Sequence, residues 1–94
     1  MTEYYDALET RDPAEREAAQ LAALPKQVAL AKSAPGNADA LADVDPESIT
    51  SRDALATLPV TRKGALIERQ TPDAPFGGLN ATPVEGMERL FLSP

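Results

Sequence analysis

The segment Asp12-Pro13-Ala14-Glu15-Arg16-Glu17 followed by Ala18-Ala19-Gln20-Leu21-Ala22-Ala23-Leu24-Pro25-Lys26-Gln27-Val28-Ala29-Leu30-Ala31 carries the strongest helical pattern in the chain. Asp12 can accept bonds from orphan N–H groups, Pro13 suits the first helical position, and Glu15 can reach back in the manner of a capping box. Ala18, Leu21, Ala22, Leu24, Val28 and Ala31 then recur mostly three and four residues apart, which predicts an apolar face. Pro25 interrupts the pattern. A helix running through it loses the N–H bond to the Leu21 carbonyl, so the expectation is a kink there or two helices over 13–24 and 26–33. Ala34-Pro35-Gly36-Asn37 ends the element, since Pro disfavours helix in the residue before it.

Working outward, the 94 residues hold nine Lys and Arg against fifteen Asp and Glu, with no His and no Cys, for a net charge of −6. Without Cys or His there is no disulfide framework, thiol nucleophile, imidazole base or zinc site of the usual kind. Acidity disfavours a nucleic-acid groove or an anionic membrane surface, because both require clustered cations. Seventeen residues are Ala and only nineteen are Leu, Ile, Val or Phe. That leaves little for a core, close to the composition at which folding becomes marginal. The N-terminus, Met1-Thr2-Glu3-Tyr4-Tyr5-Asp6, lacks the basic start and apolar run of a secretory signal, and no stretch is apolar enough to span a bilayer, so a cytoplasmic location is expected. The charge is uneven: residues 1–49 carry the whole net −6, while residues 50–94 are balanced at five of each sign.

Beyond the first helix, Asn37 is placed to cap a short turn through Leu41, and Asp45-Pro46-Glu47 repeats the Asp-Pro start ahead of a single turn. Thr50-Ser51 offers a further cap before Ala54, Leu55 and Leu58, and Pro59 stops that run. Thr61 is then expected to cap a helix from Arg62 to Arg69. After Gln70 the spread of Pro72, Pro75, Gly77, Gly78 and Pro83 predicts an irregular segment over 71–86. Met87-Glu88-Arg89-Leu90-Phe91-Leu92 has the alternation of a C-terminal strand, which would need a ladder partner from a longer protein or a second copy. The organisation expected is therefore mainly α, with a small bundle of short helices in residues 1–70, then an irregular Pro/Gly segment and one strand in 71–94.

Five features bear on possible chemistry. In Leu58-Pro59-Val60-Thr61-Arg62-Lys63 two cations sit at a helix N-terminus, where they oppose the macrodipole by a few tenths of a kcal/mol, up to about 1. Either they meet an anionic partner, a carboxylate or a phosphate, or they are simply solvated. Pro75-Phe76-Gly77-Gly78-Leu79 lacks the Gly spacing and the Lys-Ser/Thr of a phosphate loop, and reads more readily as a turn with Phe76 pinned against apolar surface. The acidic residues Glu3, Asp6, Glu9, Asp12, Glu15 and Glu17 read as caps and a solvated face rather than a metal patch. Tyr4 and Tyr5 are expected to pack or to hydrogen-bond an arriving N-terminal segment. Ser93 has no His to act as its base. The residues thus give no catalytic, cofactor-binding or metal site.

In order along the chain, Tyr5, the Asp12-Pro13-Ala14-Glu15-Arg16-Glu17 start, Leu58 to Lys63, Pro75-Phe76-Gly77-Gly78 and Arg89-Leu90-Phe91-Leu92-Ser93 resemble the N-terminal region of phenylacetate–CoA ligases. The resemblance implies a non-catalytic piece of a larger α/β enzyme that adenylates a carboxylic acid with ATP and Mg²⁺ and then transfers the acyl group to coenzyme A. It also implies that 87–92 leads into a phosphate-holding loop at Ser93, with Pro94 where a small hydroxyl residue is usual, and that the chain continues past that point. The partner would be the remainder of the ligase. The competing reading is a self-contained helical module that binds a partner protein or a second copy, as in a homodimer, with no nucleic acid or membrane involved.

Overall fold

The computed structural model describes residues 3–93; the readings placed on Met1, Thr2 and Pro94 lie outside them. The chain is mainly helical. Its largest element is α1 (Pro13–Ser33), followed by α2 (Arg52–Ala56) and α3 (Lys63–Gln70). Single 3₁₀ turns lie at Ala7–Thr10, Pro35–Asn37, Pro46–Ser48 and Val84–Gly86. One long helix with short satellites thus replaces the expected bundle of short ones.

Helix α1 starts as its sequence directs. The Asp12 carboxylate accepts from the N–H groups of Ala14 (3.1 Å) and Glu15 (3.4 Å), and Pro13 takes the first turn. Among the described residues the reciprocal Glu15 bond of a capping box is absent. The helix continues through Pro25 rather than dividing into two. Pro25 removes one backbone bond, and the residues on either side of it are strong helix formers with an apolar stripe to cover. That stripe is Leu21, Leu24, Pro25, Val28 and Ala31, all at least partly covered, whereas Ala18 and Ala22 are exposed. The helix ends at Ser33 because Ala34, preceding Pro35, is extended at φ −71° and ψ 127°. Asn37 turns its side chain backwards to donate to the Ala31 carbonyl (3.0 Å), so it closes α1 instead of capping a new turn. The Lys32 ammonium donates to the Val44 carbonyl (2.8 Å), which draws the 38–45 turns onto the helix.

The covered apolar side chains are few: Val28, Ala34, Leu41 and Ile49. They gather where the second half of α1 meets the Pro46–Ser48 turn. Asp45 caps that turn, and Ser51 caps α2 by accepting from the Ala54 N–H (3.1 Å). Thr61 does not cap α3. Arg62 is the last extended residue, at φ −99° and ψ 141°, and Thr61 is one position too early to reach the orphan N–H groups.

Residues 71–86 are irregular, as their composition indicates, yet they are fastened. The Gly36 N–H donates to the Gly78 carbonyl (2.7 Å), and the Arg69 guanidinium donates to the Gly36 carbonyl (2.6 Å). Gly77 and Gly78 take φ of +63° and +73°, backbone that glycine adopts at little cost. The 87–92 strand does not form among the described residues. Met87 is extended, but no neighbouring strand supplies a ladder, and Phe91 and Leu92 stand 85% and 96% exposed. The larger α/β architecture is likewise not visible in these residues.

The result is an open molecule. Its radius of gyration is 16.4 Å, against about 12 Å for a compact chain of this length. Its accessible surface is 7828 Å², against about 5,200 Å² for a folded monomer of this mass.

The glycine contact gives a test. A Cβ at Gly36 would fall 2.7 Å from the Gly77 carbonyl oxygen and 2.9 Å from the Gly78 carbonyl carbon, whereas one at Gly64 meets nothing within 4 Å. Gly36→Ala is therefore expected to destabilise the junction by about 1–3 kcal/mol and to speed amide exchange at position 36. Gly64→Ala is expected to stabilise α3 by about 0.5–1 kcal/mol. Equal behaviour of the two variants in urea unfolding and hydrogen exchange would refute this account.

Candidate functional site

Two apolar depressions stand out on this open surface. The first lies between α1 and α2, where Leu21 and Leu24 face Leu55 across a space of about 310 Å³. It forms because Ser51 starts α2 at the point where Leu55 projects toward the uncovered edge of the α1 stripe. The Arg52 guanidinium donates to the Glu17 carboxylate at 2.6 Å and closes one end. Both partners are well exposed, so the pair contributes at most about 1 kcal/mol and acts mainly as a positional clip. A separate shallow depression is lined by α1 alone, between Gln20 and Ser33, and holds Leu30, which is 52% exposed.

The second depression is a cleft of about 420 Å³ between α3, the 75–76 loop and residues 90–93. Its α3 wall is Lys63, Ile67 and Gln70, and its opposite walls are Pro75 with Phe76 and Leu90 to Ser93. Three motifs that are separate in the sequence contribute here: Lys63 of the Arg62-Lys63 pair, the Pro75-Phe76 turn and the apolar C-terminal run. Phe76 is half-buried, as the turn reading requires. Among the described residues Lys63 lines the cleft with no carboxylate in its walls, and neither Arg62 nor Lys63 forms an ion pair.

The remaining singled-out residues are not brought together. Tyr4 and Tyr5 do not pack; they are 58% and 93% exposed, because the Ala7–Thr10 turn carries them away from the helices. The Tyr5 N–H donates to the Glu9 carboxylate, and the Asp6 carboxylate accepts from the Leu8 N–H (2.9 Å), so two acids cap a local turn that the sequence pattern alone does not announce. Asp12 caps α1 and Glu17 holds Arg52. Among the described residues no three acidic side chains are grouped to hold a metal ion. Ser93 sits at the rim of the cleft. Among the described residues no helix is long and apolar enough to cross a membrane.

Gly77 and Gly78 do not form a phosphate cradle. The Gly77 N–H is already given to the Asp73 carbonyl (2.7 Å), and the Asp73 carboxylate lies about the turn, where it would repel an anion. The surface residue that pattern reading passes over is Leu30, which falls off the α1 stripe; Leu55 is named in its run, but that one-turn helix is too short for periodicity to assign it a face. No known protein family, curated protein or solved structure matches this chain.

What distinguishes the core from these surfaces is measurable. Ile49→Ala removes one of the four apolar side chains buried among the described residues and is expected to cost about 2–5 kcal/mol, enough to unfold a chain with so small a core. Leu30→Lys, at an exposed position, is expected to change stability by less than about 0.5 kcal/mol. Urea titration followed by circular dichroism checks both, and a large loss for Leu30→Lys would show that this face is covered.

Proposed function

We propose that this chain is a non-catalytic N-terminal segment of an AMP-forming acyl-CoA ligase of the phenylacetate–CoA ligase type, and that it covers and supports that enzyme's large adenylation domain in the cytoplasm. The observation that carries the reading is the excess surface. A chain that exposes 7828 Å², with Leu55 in the depression between α1 and α2 and Leu30 in a second one on α1, leaves apolar residues for something larger to cover. The resemblance in the order of Tyr5, the Asp12-Pro13 start, Leu58 to Lys63 and the Pro75 to Gly78 turn supports a ligase as that larger body. The α1–α2 groove is the face assigned to it.

In such an enzyme ATP, Mg²⁺ and coenzyme A belong to the large domain. The paired glycines Gly77 and Gly78 are poorly placed to hold a phosphate, since the Gly77 N–H is given to the Asp73 carbonyl and the Asp73 carboxylate is adjacent. The chain's own part is to bind, to shield apolar surface, and to hold the segment from 71 onward in place through Gly36. A second reading, a self-contained module that associates with a partner or with a second copy, is favoured by the exposed tyrosines of the N-terminal arm.

Adding the chain in trans to a phenylacetate–CoA ligase lacking its own N-terminal segment is expected to give a complex and to raise that enzyme's melting temperature. Leu24→Lys combined with Leu55→Lys is expected to abolish both effects. The chain alone, given ATP, Mg²⁺, coenzyme A and phenylacetate, is expected to release no AMP above a blank. Turnover by the pure chain, or the absence of any complex, would overturn the ligase reading.

A further inference from the structure

We propose that two copies of this chain associate by exchanging their N-terminal arms, residues 3–9 of each copy lying in the cleft that α3 forms with Phe76 and Leu90 to Leu92 of the other. The proposal deepens the second reading above, in which exposed surfaces serve association, and does not depend on the ligase reading.

The arm has the form of a ligand. Glu3-Tyr4-Tyr5-Asp6-Ala7-Leu8-Glu9 holds three acidic and no basic side chains. Tyr4, Tyr5 and Leu8 are 58%, 93% and 59% exposed, and the local bonds from Leu8 to Asp6 and from Tyr5 to Glu9 keep the segment turned rather than extended. Two adjacent exposed aromatics are costly to leave in water and bring a large contact area for little conformational entropy.

The cleft has the complementary form. Its walls are mainly the apolar side chains of Ile67, Pro75, Phe76 and Leu90 to Leu92, with Gln70 and Ser93 beside them, and among the described residues the one charged group lining it is the Lys63 ammonium. That cation stands at the start of α3, whose first turn has no acidic residue and no side-chain cap. An incoming carboxylate would therefore be favoured twice, by Lys63 and by the positive end of the helix. In the arm, Asp6 and Glu9 are committed to backbone N–H groups, whereas among the described residues Glu3 makes no hydrogen bond. Glu3 is accordingly assigned to Lys63, with Tyr4 and Tyr5 entering the apolar walls.

The α1–α2 groove is the poorer host for the arm, since its two opposite charges, Arg52 and Glu17, already satisfy each other. An exchange in which each copy gives an arm and receives one is the closed, self-complementary arrangement common in dimers. Each covered tyrosine removes about 150–250 Å² from water, so four of them with the walls they meet reach roughly the 1,200 Å² at which specific interfaces begin.

The charge assignment permits a test that uses the whole chain. Sedimentation equilibrium of the wild type at low salt is expected to show a monomer–dimer equilibrium that weakens as salt is raised. Tyr5→Ala, Glu3→Lys and Lys63→Glu are each expected to weaken it about tenfold or more. Mixing Glu3→Lys with Lys63→Glu is expected to restore dimer. In the mixed pair Lys at position 3 of one copy meets Glu at position 63 of the other, and the second junction keeps its native Glu3 and Lys63. Circular dichroism of each variant matching the wild type shows that all remain folded. A wild type that stays monomeric up to millimolar concentration, a dimer indifferent to Tyr5→Ala, or a mixture that fails to restore dimer would each overturn the exchange. A monomer that still binds another protein would refute the exchange while leaving the module reading in place.

Discussion

The structure turns on a backbone contact between three glycines. Gly36 follows the end of α1, and its N–H is given to the Gly78 carbonyl while its own carbonyl receives the Arg69 guanidinium. Nothing larger than hydrogen fits at Gly36, where the Gly77 and Gly78 backbone comes within about three ångströms of where a side chain would begin. This approach ties α1, the end of α3 and the irregular 71–79 segment together through backbone hydrogen bonds, with the buried Ala34 and the half-buried Leu79 close by. Val28, Leu41 and Ile49 are buried in the first half of the chain, whereas among the described residues 71–93 only Gly77 is buried, so hydrogen bonds and close backbone fit carry much of the hold on the C-terminal third. The second cleft exists because of it: with the 73–79 turn anchored at Gly36, Phe76 is presented beside α3, and the chain returning at 90–92 completes the walls.

How far the sequence foretold this depends on the range of the interaction concerned. Caps are decided within three residues, and Asp12, Asp45 and Ser51 cap their helices as their spacing indicates. So does the stop at Ala34 before Pro35. Thr61 was a plausible cap of the same kind, but Arg62 stayed extended, and a shift of one residue is enough to take a short side chain out of reach. Pro25 was legible as a defect and not as a break, because a helix loses only one bond there while the continuous helix packs on the Pro46–Ser48 turn and keeps Val28 buried and Leu21 and Leu24 partly covered.

The larger departures involve partners distant in sequence. The alternation of Met87 to Leu92 is a real pattern, but alternation specifies a strand only where a second strand is present, and none lies within the described residues. Tyr4 and Tyr5 were expected to pack or to hydrogen-bond an arriving N-terminal segment, yet the acids at 6 and 9 cap a local turn in which both rings are exposed. The meeting of Lys63, Phe76 and Leu90 in one cleft could not be read from composition or period, since it follows from the Gly36 contact, and a Gly-Gly pair looks the same in a loop that touches nothing.

The two apolar surfaces differ in a way that bears on what can cover them. In the α1–α2 groove the charges are paired internally, so a covering surface need supply only apolar area and shape, and a charged one would have to displace Arg52 from Glu17. In the α3 cleft the Lys63 charge is left for an incomer, and an uncharged cover would strand an ammonium at the positive end of a helix. Neutral and acidic partners are thereby separated on one small chain. The acidic arm, borne by the half that carries the whole net charge of −6, is selected for the second surface and against none of the balanced half around it. Covering one surface leaves the other accessible wherever the Gly36 contact holds the two apart, so support of a larger domain through the groove and association through the cleft are compatible on the same fold.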